Sequence, residues 1–154
     1  MSHYEGIHVD SPESLERIYH RLIPISAHMG VKVVDWDGTT LRLEAPLANN
    51  INHQQSAFGG SLFSLAALAG WGLVQLKLSE TNLDCSTVIA GGDVNYALPV
   101  YGDLICVCDL PENWPDTADR LVDKGKASLR LAPTIVVDGQ SAMAFNGHYV
   151  IRTR

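Results

Sequence analysis

The polar run holding Asn50, Asn52 and His53, followed by Phe58 and the pair Gly59-Gly60, stands directly before an apolar helical repeat. Glycines at a helix entry leave backbone N–H groups open to close approach, and the helix dipole adds positive potential at the same point. Gly59 and Gly60 therefore suit an oxyanion hole, a pair of fixed donors for a carbonyl oxygen that gains negative charge. The Asn52 amide can both donate and accept beside them. Asn50 and His53 are close enough in sequence to join, and a free imidazole at 53 would serve as a general base. Amides in loops are also common turn formers, and paired glycines also permit close helix packing, so the chemistry depends on where the fold places them.

Other reactive residues weigh less. Ser64 lacks a G-x-S-x-G elbow and an evident His partner, and a mid-helix serine usually bonds its own backbone. Cys106 and Cys108 lie on one side of a strand without a second Cys pair, which fits buried core thiols and not a zinc site. The six histidines form no H-E-x-x-H pattern, and neither G-x-G-x-x-G nor a Walker run occurs. No metal and no cofactor are expected.

The elements that must position these residues follow from periodicity. Ser11-Pro12-Glu13-Ser14 is an N-cap with proline at the first helical position, and Leu15, Ile18, Tyr19 and Leu22 continue at helical spacing until Pro24 and Gly30 close the segment. Val31 to Ala45 reads as a hairpin around Asp37-Gly38, with the type I′ turn that dipeptide favours. Leu47 to Phe58 is a polar loop that feeds a helix over residues 60–78. Its repeat Leu62, Leu65, Ala66, Ala69, Leu73 and Leu76 is apolar on the other faces too. From Ala45 through Leu76, 32 residues carry no Asp, Glu, Lys or Arg, which only a segment wrapped by the rest of the protein tolerates. Strands are expected at Ser86–Leu98, Asp103–Leu110, Lys126–Val137 and Ser141–Arg152, the last two joined by Asp138-Gly139. Between them, Pro111–Asp119 reads as an exposed loop or short helical turn. The pattern predicts an α+β fold, a curved antiparallel sheet around one long central helix with an additional N-terminal helix, in one domain over residues 1–154.

Composition excludes several classes. The chain has 154 residues, 46% hydrophobic and 18% charged, with a net charge of -6; this is globular and offers no general positive field to nucleic acid. The apolar stretch Leu62–Leu76 falls short of a membrane span, so no membrane is expected. Three cysteines and an N-terminus without a basic, apolar leader predict a reduced, cytoplasmic protein.

The run from Asn50 through Phe58-Gly59-Gly60-Ser61 to Leu68-Ala69-Gly70-Trp71, with the later Asn95-Tyr96-Ala97-Leu98-Pro99, resembles the hotdog-fold acyl-thioester enzymes. It is similar in particular to the YiiD C-terminal domain family, a thioesterase-like group found alone or behind a GNAT acetyltransferase domain. The resemblance implies a homodimer or homotetramer with the site at a subunit interface, and as substrate an acyl thioester of acyl carrier protein or CoA. It also implies that Asn52, in the place of a polar amide found in related thioesterases, holds substrate or water. Phe58 stands where better-known members carry His. Their helix Asp or Glu, which activates water, would fall at Ser64 or Ala67, and neither is a carboxylate. Asp93 and Asn95, two apart on one strand face, either add polar groups to a site across a dimer interface or serve in structural hydrogen bonding. Decarboxylation of a malonyl thioester to the acetyl thioester needs no such base, because loss of carbon dioxide itself creates the enolate. That reaction is the favoured expectation, with thioester hydrolysis and a non-catalytic acyl-thioester binding module as alternatives.

Overall fold

In the computed structural model, residues 7–154 are described. Ser11 caps α1 (Pro12–Leu22) through a reciprocal pair of bonds with Ser14, and the helix buries Leu15, Ile18 and Tyr19. A second helix, α2 (Pro24–Met29), follows at once, where the sequence predicts one segment running to Gly30. Proline disfavours helical geometry in the residue before it, and Ile23 accordingly breaks out at φ -125°, ψ 80°. Pro24 then starts a new helix, which Gly30 ends at φ 73°.

Among the described residues seven antiparallel strands form one sheet: β1 (Lys32–Trp36), β2 (Thr40–Ala45), β3 (Cys85–Tyr96), β4 (Leu104–Asp109), β5 (Lys126–Leu131), β6 (Thr134–Val137) and β7 (Gln140–Thr153). Their order is β1-β2-β4-β6-β7-β3, with β5 beside β6 on the same side of β7. The expected strand over 126–137 is split because Pro133 has no N–H for the ladder. Both predicted hairpins form, with different turns. Asp138 and Gly139 take φ 51° and 77° between the paired Val137 and Gln140, the type I′ geometry. At the first hairpin only Gly38 has positive φ, and Asp37 Oδ1 accepts from the Thr39 and Thr40 N–H groups at 2.9 and 2.8 Å, an Asx turn in place of the expected type I′.

The concave side of the sheet holds α3 (Gly59–Leu78), whose Leu62, Leu65, Ala66, Ala69, Leu73 and Leu76 are buried. By length and apolar composition α3 would pass for a membrane span, but the sheet and α1 wrap it as the core helix. Two tyrosines fasten it. Tyr19 Oη donates to Leu68 O and Tyr149 Oη to Ala67 O. They approach because Gly72 and Gly70 face them, where a Cβ would stand 2.1 Å from each hydroxyl. The segment read as a loop or short turn is instead the start of α4 (Trp114–Lys124), which buries Trp114, Thr117 and Leu121. Pro115 lies in its first turn, where no helical N–H is needed. Cys85, Cys106 and Cys108 are free and buried, and burial pushes the Cys108 thiol up to about 12.

Candidate functional site

The loop between β2 and α3 is built from backbone bonds that aim its end at the helix. Leu47 N–H donates to Asp103 Oδ1 at 2.9 Å, Ala57 N–H to Val100 O at 2.8 Å and Phe58 N–H to Asn50 O at 2.7 Å. Asn52 closes its own turn: its Oδ1 accepts from the Gln54 and Ser56 N–H groups at 2.8 and 3.1 Å, and its Nδ2 donates to Ser56 Oγ at 3.0 Å. Asn50 reaches outside the loop. Its Nδ2 donates to Met29 O at 2.9 Å and Pro46 O at 2.8 Å, which ties α2 to the helix entry. Two carbonyl acceptors fix the orientation of that amide, because a flip would set oxygen against oxygen. The Asn50 Oδ1 is therefore an acceptor only, and it is buried with no partner among the described residues.

At the start of α3, the Phe58 carbonyl accepts from the Ser61 and Leu62 N–H groups at 3.0 and 3.1 Å. No side chain caps the helix, and the Gly59 and Gly60 N–H groups have no partner among the described residues. Tyr96, at the end of β3, donates from Oη to Gly59 O at 2.9 Å, with its ring against the open face of Gly59. The Gly59 carbonyl and the Gly60 N–H belong to one planar peptide and point in opposite directions. The Tyr96 bond thus sets the direction of the Gly60 donor and polarises it.

A cleft of about 350 Å³ opens at this point. Helix α2 contributes Ile25, His28 and Met29, the loop Asn49, Asn50 and Phe58, and α3 Gly60, Ser61 and Ser64. Among the described residues no carboxylate lines it. Of the residues singled out from sequence, Asn50, Phe58, Gly60 and Ser64 meet here, and Gly59 adjoins them beneath Tyr96. Asn52 and His53 stay in their turn outside the cleft lining, and Ala67 lies beyond it on α3. Asn95 takes the opposite face of β3 from Tyr96, because neighbouring residues on a strand point to opposite sides. Sequence reasoning did not find His28 or Tyr96. His28 belongs to the helix hidden behind Pro24. The inward direction of Tyr96 follows from alternation only once the bulge between Ile89 and Gly91 is known. A larger depression, about 580 Å³, lies near the other end of α3. Within its polar lining Gln75 is bonded to Thr87 and Arg154 to Asp84. Among the described residues no three His, Cys, Asp or Glu side chains come together as a metal site.

A family model described as "Putative thioesterase (yiiD_Cterm)" matches residues 12–153. The chain belongs to this family. Among solved structures, a protein of unknown function from Chlorobaculum tepidum is 36% identical, with 94% of this chain and 98% of that chain covered and a TM-score of 0.88. A "putative thioesterase" from Shewanella oneidensis is 31% identical over 90% of this chain and 95% of its own, with a TM-score of 0.82. A thioesterase from Haemophilus influenzae, 13% identical with 96% and 94% coverage and a TM-score of 0.75, shares the fold. This YiiD C-terminal family protein has the hotdog fold, a sheet wrapped around its long central helix, and its membership points to an enzyme that acts on acyl thioesters.

Proposed function

We propose that the cleft at the start of α3 holds the carbonyl of an acyl thioester, carried by acyl carrier protein or CoA, and that the favoured reaction is decarboxylation of a malonyl thioester. The observation that carries this reading is the open N–H donor of Gly60 in a cleft that no carboxylate lines among the described residues, with the second open donor, Gly59, adjoining it. When the bond between the α-carbon and the carboxylate breaks, its electron pair forms the enolate. The thioester oxygen takes the negative charge, which the two donors stabilise. The α-carbon then takes one proton, for which His28 is the titratable group in the cleft, and acetyl thioester and carbon dioxide leave. A carboxylate on α3 would repel the malonyl group, and the helix has none. The roles expected for Asn52 and His53 are not built into this mechanism, since both lie in the adjoining turn.

Hydrolysis keeps one observation in its favour. The Asn50 Oδ1 accepts and cannot donate, so once the cleft opens around this buried atom it would take a water O–H or an amide N–H of the thioester's arm. Mass spectrometry of malonyl and acetyl thioesters on both carriers separates the readings. Acetyl thioester from malonyl thioester supports decarboxylation, free carrier thiol supports hydrolysis, and thioesters that bind but survive make the protein a binding module.

Tyr96→Phe keeps the ring over Gly59 and removes the hydroxyl. We expect kcat to fall about tenfold with KM little changed, and the Gly60 amide proton to shift in NMR spectra; an unmoved Gly60 resonance would remove Tyr96 from the design.

We further infer a homo-oligomer. Among the described residues nothing pairs with the outer edge of the 12-residue β3, a long open edge that natural proteins cover, and Ser64, Ala67 and Trp71 are only partly covered on α3. A second copy paired along β3 would cover both and place the cleft at a subunit interface. Sedimentation at micromolar concentration is expected to show a dimer or tetramer, and a monomer would overturn this. Three free, buried cysteines fit the reducing cytoplasm in which such carriers are found.

A further inference from the structure

The outward face of β5 and β7, the side turned away from α3, carries two rows of basic side chains without carboxylate partners. Register places Lys126 directly opposite Arg152, and Arg130 directly opposite His148. The first pair sets like charges directly across the strands, which is destabilising. Neither strand contains an Asp or Glu, and none of these four side chains forms an ion pair among the described residues. On the neighbouring strand β3 the carboxylate is Asp93, opposite Asn146 and beyond the bulge. Such a cluster is out of character in a chain of net charge -6.

Between the two basic rows lies a row of Ser128, Val150 and Val88, apolar on β7 and β3. Val150 pairs with Val88, and Val88 is 59% exposed. The face therefore reads as cation, valine, cation, with the outer rows about 13 Å apart. That spacing matches a helix, about 10–12 Å across its side chains, with an apolar stripe bordered by carboxylates. A single compact cluster of phosphates would leave one row and the valines unused. A two-fold contact of this face with itself would set cations against cations, which argues against a second copy. The face also stays open if the edge of β3 is paired, because face and edge are different surfaces.

We propose that this face docks an acidic carrier protein through a helix, with Lys126, Arg130, His148 and Arg152 meeting its carboxylates and Val88 and Val150 its apolar stripe. The proposal rests on the reading of the cleft as an acyl-thioester site, and names the surface that receives the carrier. Strand β3 joins the two, since Gly91, in the row of His148, is about 17 Å along the strand from Tyr96.

The test is fluorescence anisotropy of labelled acyl carrier protein bearing a non-cleavable malonyl amide, titrated with wild-type protein, with Lys126→Glu/Arg130→Glu and with Val88→Ser. Circular dichroism confirms that these exposed substitutions leave the fold intact. Charge reversal should weaken carrier binding at least about tenfold and flatten its dependence on salt. Val88→Ser should weaken it without changing the salt dependence, and KM for malonyl-CoA should stay unchanged. Unaltered carrier affinity in the double variant overturns the proposal. So does an equal rise in KM for malonyl-CoA, which would give the face to nucleotide phosphates, or a change in sedimentation, which would give it to a second copy. Binding is read without turnover, so a protein that converts no thioester sinks the functional reading while this result stands.

Discussion

Gly60→Pro should lower kcat on the malonyl thioester by about 10²–10³-fold, the usual effect of deleting one oxyanion donor, while Gly60→Ala loses far less. Residue 60 lies in the first turn of α3, where an N–H has no helical acceptor. Proline there removes the donor that lines the cleft without removing a helix bond. Alanine keeps the donor. Its Cβ would meet the Phe58 ring edge at 2.5 Å, but that ring is 57% exposed and can swing aside. Steady-state kinetics on both variants, with circular dichroism to confirm the helix, decides the matter. Equal losses in the two would mean that ring position, and not the N–H, carries the effect.

The second large effect is on stability. Asn50→Ala removes the donor shared by Met29 O and Pro46 O, and a buried acceptor left without a partner costs about 1–3 kcal/mol. The residue is 3% exposed, so water does not replace the lost amide without opening the structure. Urea denaturation should show a loss of that order for each orphaned carbonyl. Asn50→Asp should be worse at neutral pH, because it turns a carboxylate oxygen toward the same two carbonyls. A wild-type midpoint in Asn50→Ala would show that the amide does not brace α2 against the helix entry.

Much of the fold was legible because single residues carry strong local rules. The uncharged run ending at Leu76 marks the one helix the sheet must enclose, and Asp138-Gly139 fixes its hairpin with two positive φ angles. What escaped depended on contacts between distant segments. The break at Ile23 separates two helices that share one apolar pattern, and with it His28 and Met29 come to the cleft unannounced. The contrast between Asn50 and Asn52 is invisible in the loop, where both are amides two positions apart. It arises because carbonyls at Met29 and Pro46 take the Nδ2 of one, while Ser56 holds the other inside its turn. Pro111 and Pro115 looked like breakers, yet Pro111 lies before the helix and Pro115 in its first turn, and the spacing of Trp114, Thr117 and Leu121 made a helix.

The tyrosine hydroxyls seated over Gly70 and Gly72 have a bearing on how the cleft works. A helix held at two successive carbonyls from opposite sides can neither turn about its axis nor slide by one 1.5 Å rise without losing both bonds. The Gly59 and Gly60 donors begin that same rigid rod, so their aim is set before any substrate arrives, and little of the reorganisation cost falls on the reacting step. Tyr19 and Tyr149 thus act on the reaction at a distance, as the machinist's stop that sets where a tool comes to rest.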